Sequence, residues 1–207
     1  MKGIFLNINF LTAFLLINNA LVYGEGKKMD ADSDSTKIVI DFKDAKEVRL
    51  WSAINDDVMG GLSEGKASIT EDGYLLFSGN LSLENNGGFS SIRMIPPEID
   101  FGVYKGARIR VKGDGRSYQF RLRTSRRFDG AAYKSEFHTI PEKWIEIDLY
   151  FDSFLPVYRG KILKNAEPLD PAEIRQIGLL IADKSEGSFE LFVDRIEFFK
   201  SKPEIAR

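Results

Sequence analysis

Apolar and polar residues alternate with a period of two through most of the chain after residue 36, and this pattern constrains the fold more than any other feature. In the stretch YQFRLR, Tyr118, Phe120 and Leu122 share one face of an extended strand, whereas Arg121 and Arg123 lie on the other. The same pattern predicts strands at residues 37–42, 48–54, 74–83, 89–95, 107–111, 137–140, 144–150, 177–181 and 189–199. Short turns that contain glycine separate many of these segments, which together predict an all-β sandwich or barrel.

Two local departures from this pattern are also predicted. Asp170 can cap a helix in which Pro171 takes the first position and Glu173 follows, so we expect one short helix near residues 170–176. In the last strand the apolar residues change parity between Val193 and Ile196. A β-bulge near Asp194 and Arg195 would return both sets to the core.

The first residues differ from the rest of the chain, because an apolar run at residues 10–17 follows Lys2 and precedes small residues. This layout predicts a signal peptide at residues 1–24, then a polar, disordered leader at 25–36 and one domain at 37–200. The expected location is therefore secreted or periplasmic, with no membrane-spanning segment once the signal is removed.

Composition excludes several classes of function. A net charge of −2 argues against nucleic acid as a partner. The chain has no cysteine, so thiolate metal sites and cysteine nucleophiles are excluded. Its single histidine, His138, is accompanied by no nucleophile-elbow motif, so we expect neither an enzyme nor a cofactor.

The stretch NDDVMGG places Asp56 and Asp57 before Gly60 and Gly61. Adjacent carboxylates point to opposite faces of a strand, which argues against a catalytic acid pair. In a loop they could bind calcium, although the spacing lacks the ordered alternation of a dedicated calcium loop. The favoured interpretation is a tight turn in which a side chain accepts backbone N–H groups. We expect Asp56 and Asp57 to accept backbone and arginine hydrogen bonds, and Met59 to plug the sandwich edge.

Two further stretches carry candidate binding residues. NNGGFSSIRM, ending at Met94, could form an anion-binding nest with Arg93, although a hairpin loop is the favoured interpretation. GDGRSYQFRLRTSRR contributes Asp114, Arg116, Tyr118, Arg121 and Arg123. Its basic strip could bind an acidic glycan or an acidic protein, although a solvated face balanced by carboxylates on neighbouring strands is the favoured interpretation.

Several stretches of the chain together resemble the complex I intermediate-associated protein 30 family. They are LWSAINDDVMGGLSEG, LLFSGNLSLENNGGFSSIR, YKGARIRVKGDGRSYQFRLRT, WIEIDLYFDSFLPVYRG and IGLLIADKSEGSFELFVDRIEF, between residues 42 and 199. The resemblance implies a galactose-binding-domain-like jelly-roll sandwich. It also implies a non-enzymatic role, because eukaryotic members act as assembly factors that hold partly built respiratory complex I.

The sequence therefore predicts a binding module that engages a protein partner, with a carbohydrate-binding module of the cell envelope as the alternative. Trp51 and Trp144 would have to be exposed for sugar stacking, whereas core packing is the default for such residues. The candidate ligand- or partner-binding residues are Asp56, Asp57, Arg93, Asp114, Arg116, Tyr118, Arg121 and Arg123. No metal site is predicted among them.

Overall fold

The computed structural model describes residues 38–127 and 129–201. The predicted signal peptide (1–24) and leader (25–36) lie outside the described residues. Thirteen strands form in the described ranges: β1 Ile38–Asp41, β2 Trp51–Asn55, β3 Glu64–Ile69, β4 Leu75–Leu81, β5 Ser90–Met94, β6 Gly106–Gly113, β7 Ser117–Arg123, β8 Ala132–His138, β9 Trp144–Tyr150, β10 Leu155–Tyr158, β11 Lys161–Ile162, β12 Gln176–Ile181 and β13 Gly187–Phe199.

The strands form two antiparallel sheets, which confirms the predicted all-β sandwich. The six-stranded sheet has the order β3-β4-β13-β6-β9, with β1 also pairing with β13. The seven-stranded sheet has the order β11-β10-β8-β7-β12-β5-β2. Because β12 is inserted between β7 and β5, strands that are distant in sequence become neighbours in this sheet.

The apolar faces of the two sheets pack against each other and form a single core. In β7, Tyr118, Phe120 and Leu122 are fully buried, as the alternation predicts. Phe77 and Phe189 meet edge to face on the opposing sheet, with ring centroids 4.9 Å apart. Aromatic pairs of this kind contribute beyond the area that they bury.

The predicted bulge in the last strand is confirmed. The register of β13 against β6 shifts between Val193 and Arg195, which leaves Asp194 unpaired in the ladder. Leu191 and Val193 before the shift, and Ile196 and Phe198 after it, are all buried.

The short helical segments differ from the sequence prediction. The expected helix near residues 170–176 is a single 3-10 turn, Pro171–Glu173, because Ile174 is already extended and β12 begins at Gln176. Asp170 does cap this turn, since its Oδ1 accepts the Ala172 N–H at 3.0 Å. Four more 3-10 segments occur, at Ala45–Leu50, Asp56–Met59, Glu84–Asn86 and Phe151–Ser153. The first of them occupies the start of the strand predicted at 48–54, which therefore begins only at Trp51.

Strands β3, β10 and β11 were not predicted, because segments such as EGKASI lack large apolar residues in alternation. No helix within residues 38–127 and 129–201 has the length and apolar character needed to cross a membrane.

Candidate functional site

The Asp56 carboxylate lies at the centre of the β2–β3 connection and is fully buried. It accepts hydrogen bonds from the Ser63 hydroxyl at 2.6 Å and from the Ser63 N–H at 2.9 Å. It also accepts the N–H groups of Gly88 at 2.6 Å and Phe89 at 3.2 Å, which belong to the β4–β5 connection. One side chain therefore ties two connections together.

Burial by itself raises the pKa of the Asp56 carboxyl, but the hydrogen bonds from Ser63, Gly88 and Phe89 outweigh it and lower the pKa below its ordinary value. Glycines permit this close packing. A Cβ at position 61 would lie 2.3 Å from the Asp56 carboxyl carbon, and one at position 87 would lie 2.6 Å from its Oδ2. The turn interpretation of NDDVMGG thus describes Asp56 well.

Asp57 and Met59 occupy different surroundings from those expected. Asp57 is exposed, and its Oδ1 accepts only the Val58 N–H among the described hydrogen bonds. Met59 is 56% exposed instead of plugging the sandwich edge, because the 3-10 turn directs it outward together with Val58. Neither carboxylate accepts a bond from Arg93 or Arg116.

A second buried network surrounds the β6–β7 turn. Asp114 accepts the Tyr118 hydroxyl at 3.0 Å, the Arg116 N–H at 3.0 Å and the Glu190 N–H at 2.8 Å. Tyr118 is fully buried, and burial followed by the Asp114 charge raises the pKa of its hydroxyl. The Tyr118 side chain is therefore inaccessible to a partner and acts as a core residue.

Arg116 joins the same turn to the β12–β13 connection. Its guanidinium forms a bidentate ion pair with Asp183, at 2.7 and 2.9 Å, and donates to the carbonyls of Ser185, Gly187 and Ser188. The hydrogen bond to Asp183 raises the pKa of Arg116. Because its donors are used within the protein, we assign Arg116 and Asp114 structural roles.

Arg93, Arg121 and Arg123 form a different arrangement, which we call the arginine cluster. All three lie on the outward face of the seven-stranded sheet. In the β-ladder, Gly178 of β12 lies directly opposite Arg93 of β5 on one side and Arg121 of β7 on the other. Lys134 of β8 lies opposite Arg121 in the ladder, so a row of three basic residues crosses four adjacent strands. Arg123 lies one pleat further along β7, opposite Gln176.

Gly178 leaves space for the Arg93 side chain to pass over β12. A Cβ at this position would lie 3.3 Å from Arg93 Cγ and 2.9 Å from the Ile92 carbonyl oxygen. A small cleft opens here, lined by the arginine cluster together with Ser91, Gln176 and Leu180. The six-stranded sheet covers only the inward face of this sheet. Several residues on the outward face near the cleft are nevertheless buried, among them Ser91, Gln119, Gln176 and Leu180.

Two of the three guanidiniums donate hydrogen bonds to neutral groups. Arg121 donates to the Gln119 side-chain oxygen through Nε at 3.0 Å and Nη2 at 2.8 Å. Arg123 donates to the Gly130 carbonyl at 2.6 Å. Among the described residues, neither Arg121 nor Arg123 forms an ion pair with a carboxylate.

The electrostatics of the cluster follow from this geometry. Burial, followed by repulsion from Arg123 and Arg121, lowers the pKa of Arg93 to about 10. Burial and then Arg123 lower the pKa of Arg121 to about 10, and burial also lowers the pKa of Arg123. Asp129 opposes the shift at Arg93 and Arg123 only in part.

The outward face of the six-stranded sheet provides an internal contrast, because its arginines are paired with carboxylates. Arg108 pairs with Asp148 at 2.7 Å, and Arg110 with Asp194 at 3.0 Å. Arg195 pairs with Glu146, Asp194 and Glu197, each at 2.6 Å. The pKa of Arg108 is raised, chiefly by the hydrogen bond to Asp148. Carboxylates were expected to balance the charges of Arg121 and Arg123. Such pairing is found instead for the arginines on the outward face of the six-stranded sheet.

His138, Trp51 and Trp144 lie on three different strands, β8, β2 and β9. His138 Nδ1 lies 3.0 Å from Ser117 Oγ across two strands, and no described group bonds its second ring nitrogen. Trp51 is buried against Phe42, and Trp144 packs on Tyr74 under the Arg110 guanidinium. Within residues 38–127 and 129–201, no group of three or more acidic or histidine side chains is arranged to hold a metal ion.

Sequence reasoning missed Gly178, Lys134 and Gln119 as parts of the cleft. One signal was available, since QIGLLI in β12 has apolar residues at both parities and is buried throughout. A strand of this kind lies in the middle of a sheet whose outward face is also partly covered.

Comparisons with known proteins agree with the fold. The family described as Complex I intermediate-associated protein 30 matches residues 40–193. A mouse protein named "Complex I intermediate-associated protein 30, mitochondrial" is 25% identical over 80% of this chain and 57% of its own length. A Caenorhabditis briggsae protein named "Probable complex I intermediate-associated protein 30, mitochondrial" is 21% identical over 79% of this chain and 54% of its own length. The chain thus spans little more than half the length of these relatives.

The similar solved structures include carbohydrate-binding modules. A family 11 module from Clostridium thermocellum, solved in complex with a β-1,3-1,4-mixed-linked tetrasaccharide, gives a TM-score of 0.61 at 17% identity and covers 80% of this chain and 96% of its own. The family 11 module of the cellulase Lic26A-Cel5E from the same organism gives 0.62 at 17% identity, over 82% and 98%. At this identity the likeness concerns the fold, and it confirms the predicted galactose-binding-domain-like jelly roll.

The relatives also correct one expectation. Both are named as mitochondrial proteins, so the prediction of a secreted or periplasmic location is wrong. An apolar run after a single lysine was not enough to identify the compartment.

Proposed function

Because the chain belongs to the complex I intermediate-associated protein 30 family, we propose that it is a non-enzymatic binding module that holds a protein partner during assembly. The partner contacts the outward face of the seven-stranded sheet, and Arg93, Arg121 and Arg123 are the residues that bind it. Asp56, Asp114 and Arg116 hold connections between strands, Tyr118 is a core residue, and Asp57 lies outside the proposed surface.

A single observation carries this proposal, namely that the arginines on the two outward faces differ in their carboxylate partners. Arg108, Arg110 and Arg195 on the six-stranded sheet have carboxylate partners. Within the part of the chain that the structure describes, Arg121 and Arg123 on the seven-stranded sheet are partly desolvated yet bonded only to neutral groups. Keeping such charges without compensation is unfavourable, and this is typical of a surface arranged for a ligand.

The test is photo-cross-linking in cells of the organism that encodes the chain. Benzoylphenylalanine is placed at Leu155, which is exposed and lies next to Lys134 in the basic row. The matched control carries it at Lys66, an exposed outward position of the six-stranded sheet. We expect a protein adduct from position 155 and little from position 66, with mass spectrometry identifying subunits of a respiratory complex. Equal adducts from both positions, or none, would contradict the proposal.

The solved carbohydrate-binding modules favour a second candidate, in which the same face binds a glycan. None of the described outward-facing strand residues that line the cleft is aromatic, so the cleft lacks the usual stacking platform for a sugar ring. Calorimetric titration with a mixed-linked β-glucan tetrasaccharide distinguishes the two candidates. Saturable heat that Arg121→Met abolishes would favour the glycan, and the protein-partner proposal predicts none.

A further inference from the structure

We propose that the β2–β3 and β4–β5 connections form a second docking surface, which binds a partner segment whose apolar side chains are flanked by lysine or arginine. Four exposed apolar residues define this surface, which we call the apolar patch: Val58, Met59, Leu62 and Leu83. None of them belongs to the arginine cluster, so this surface is additional to the one in the proposed function.

The apolar patch concentrates large apolar side chains at the surface. Its four side chains are between 43% and 58% exposed, and all lie within residues 58–83. The other exposed large apolar residues of the described ranges are spread more widely, from Val39 to Ile162. Single exposed apolar residues are common on protein surfaces, whereas a group of them with a polar rim is typical of an interaction site.

Hydrogen bonds hold the two connections beside each other beneath the patch. The Ser63 hydroxyl donates to Asp56 Oδ2 at 2.6 Å, and its oxygen accepts the Ser82 N–H at 3.0 Å. Leu62 and Leu83 are the sequence neighbours of Ser63 and Ser82, so this bridge brings the two leucines to the same end of the sandwich. Binding to such an ordered base costs little conformational entropy.

Val58 and Met59 are exposed by an ordered turn. Both belong to the 3-10 segment that begins at Asp56, and Gly60 ends this segment in the left-handed conformation, with a φ of 89°. The Gly60 N–H donates to the Asp57 carbonyl at 2.9 Å. Met59 is unbranched and polarisable, and side chains of this kind adapt well to the surface of a partner.

Carboxylates form the rim of the apolar patch. Asp57, Glu64 and Glu84 are exposed, and each lies within two residues of a patch residue. Within residues 38–127 and 129–201, none of the three forms an ion pair with lysine or arginine. Lys66 is the cation nearest to the patch in sequence. The rim therefore has more negative than positive charge.

This charge favours one of three kinds of occupant. Anionic headgroups of a lipid surface attract lysine and arginine, so three carboxylates would be repelled. A second copy of the chain would bring the same carboxylates together across a two-fold interface, which is unfavourable. A partner segment with cations beside its apolar residues is attracted at the rim and buries the patch. An amphipathic helix is a common form of such a segment.

The experiment uses the full-length chain and a fluorescein-labelled helical peptide of leucine and lysine, about four turns long, with the leucines on one face. Fluorescence anisotropy should show saturable binding, which Met59→Gln and Leu83→Gln should each weaken about tenfold. Circular dichroism checks that each variant is folded, and Leu62→Gln replaces either variant should it unfold.

Val103→Gln is the matched control, because Val103 is 52% exposed but lies away from the patch. It precedes β6, whose first residue pairs with Phe199 at the last residue of β13, whereas Leu81 of β4 pairs with the first residue of β13. The affinity of Val103→Gln for the leucine–lysine peptide should equal that of the wild type.

Three further measurements test the role of charge. A peptide with glutamate in place of every lysine should not bind, and a peptide with glutamine in place of every leucine should not bind either. The double variant Asp57→Asn with Glu84→Gln should weaken binding of the leucine–lysine peptide about threefold, as the loss of exposed ion pairs does.

Several results would overturn the inference. One is the absence of binding by the wild type, and another is equal binding by the wild type, Met59→Gln and Leu83→Gln. Equal binding of the leucine–glutamate peptide would show that the rim does not select the partner. Binding to phosphatidylcholine vesicles that Met59→Gln removes would assign the patch to a lipid surface. A dimer in sedimentation that Met59→Gln dissociates would assign it to a second copy.

Discussion

At the scale of single residues, Asp56 and Asp57 show how neighbouring carboxylates acquire different roles. Asp56 is buried and accepts four hydrogen bonds, whereas Asp57 faces solvent. The sequence NDDVMGG predicted a turn made by a carboxylate and glycines, and that part is confirmed for Asp56. It could not assign the role to one of the two, because the Gly88 and Phe89 donors come from a distant part of the chain.

We therefore predict that Asp56→Asn lowers the free energy of unfolding by about 2–4 kcal/mol, since the amide presents N–H groups to backbone donors that need an acceptor. Asp57→Asn should change it by about 0.5 kcal/mol or less, as is usual for an exposed side chain. Urea denaturation of both variants measures the difference. Equal effects would show that the buried network does not stabilise the loop.

The lowered pKa of Asp56 gives a pH prediction. A carboxyl whose folded pKa lies below its unfolded value, about 3.9, stabilises the fold fully above that value. The contribution is lost as the pH falls through the lower folded pKa. Wild-type stability should therefore decline more steeply than that of Asp56→Asn as the pH falls from about 5 to 2. Parallel curves would argue against the assigned shift.

Arg121 and Arg108 should respond oppositely to the same substitution. Arg121→Met removes a partly buried charge for which residues 38–127 and 129–201 provide no carboxylate partner, so the free energy of unfolding should stay constant or rise by about 1 kcal/mol. Arg108→Met leaves Asp148 without its partner and should lower it by about 1 kcal/mol. Thermal unfolding without ligand tests both. A loss at Arg121 as large as that at Arg108 would indicate a structural arginine.

At the scale of elements, the alternation of residues predicted which arginines face outward but not which arginines meet. Arg121 and Arg123 lie in one strand, so their shared face follows from a period of two. Arg93 reaches them only because β12 pairs with both β5 and β7. Pairing between strands that are distant in sequence depends on the topology of the whole sheet, which local periodicity does not encode.

The bulge at Asp194 yields a prediction about one element. Deleting Asp194 would shift the rest of β13 by one residue, turning Ile196 and Phe198 outward and Arg195 inward. We expect the deletion to abolish cooperative unfolding in circular dichroism. Asp194→Ala keeps the register and should lose only the ion pairs with Arg110 and Arg195. A deletion variant as stable as Asp194→Ala would show that the bulge does not set the register.

At the scale of the whole molecule, the two sheets form one core but have outward faces of different character. The core and sandwich could be predicted from the sequence, because they depend on the summed alternation of many segments. The unbalanced face could not, since the net charge of −2 gives no sign of where the cations collect. The surface depends on the strand order, which places residues from β5, β7 and β8 in one row.

Binding through this surface should depend on salt. Raising NaCl from about 0.1 to 1 M shortens the Debye length from about 10 to 3 Å. The cross-link from position 155 to the partner, formed in a cell lysate, should therefore weaken over that range because less partner stays bound. An affinity that does not change with salt would indicate that apolar contacts dominate.

The most direct measurement of the central claim observes the arginines themselves, by recording the Nε–Hε signals of the isotope-labelled protein during titration with the partner protein that the cross-link at position 155 identifies. We predict that the signals of Arg93, Arg121 and Arg123 shift together and saturate, while those of Arg108, Arg110 and Arg195 stay in place. Shifts confined to the second group, or an absence of shifts in the first, would contradict the assignment of the arginine cluster as the binding surface.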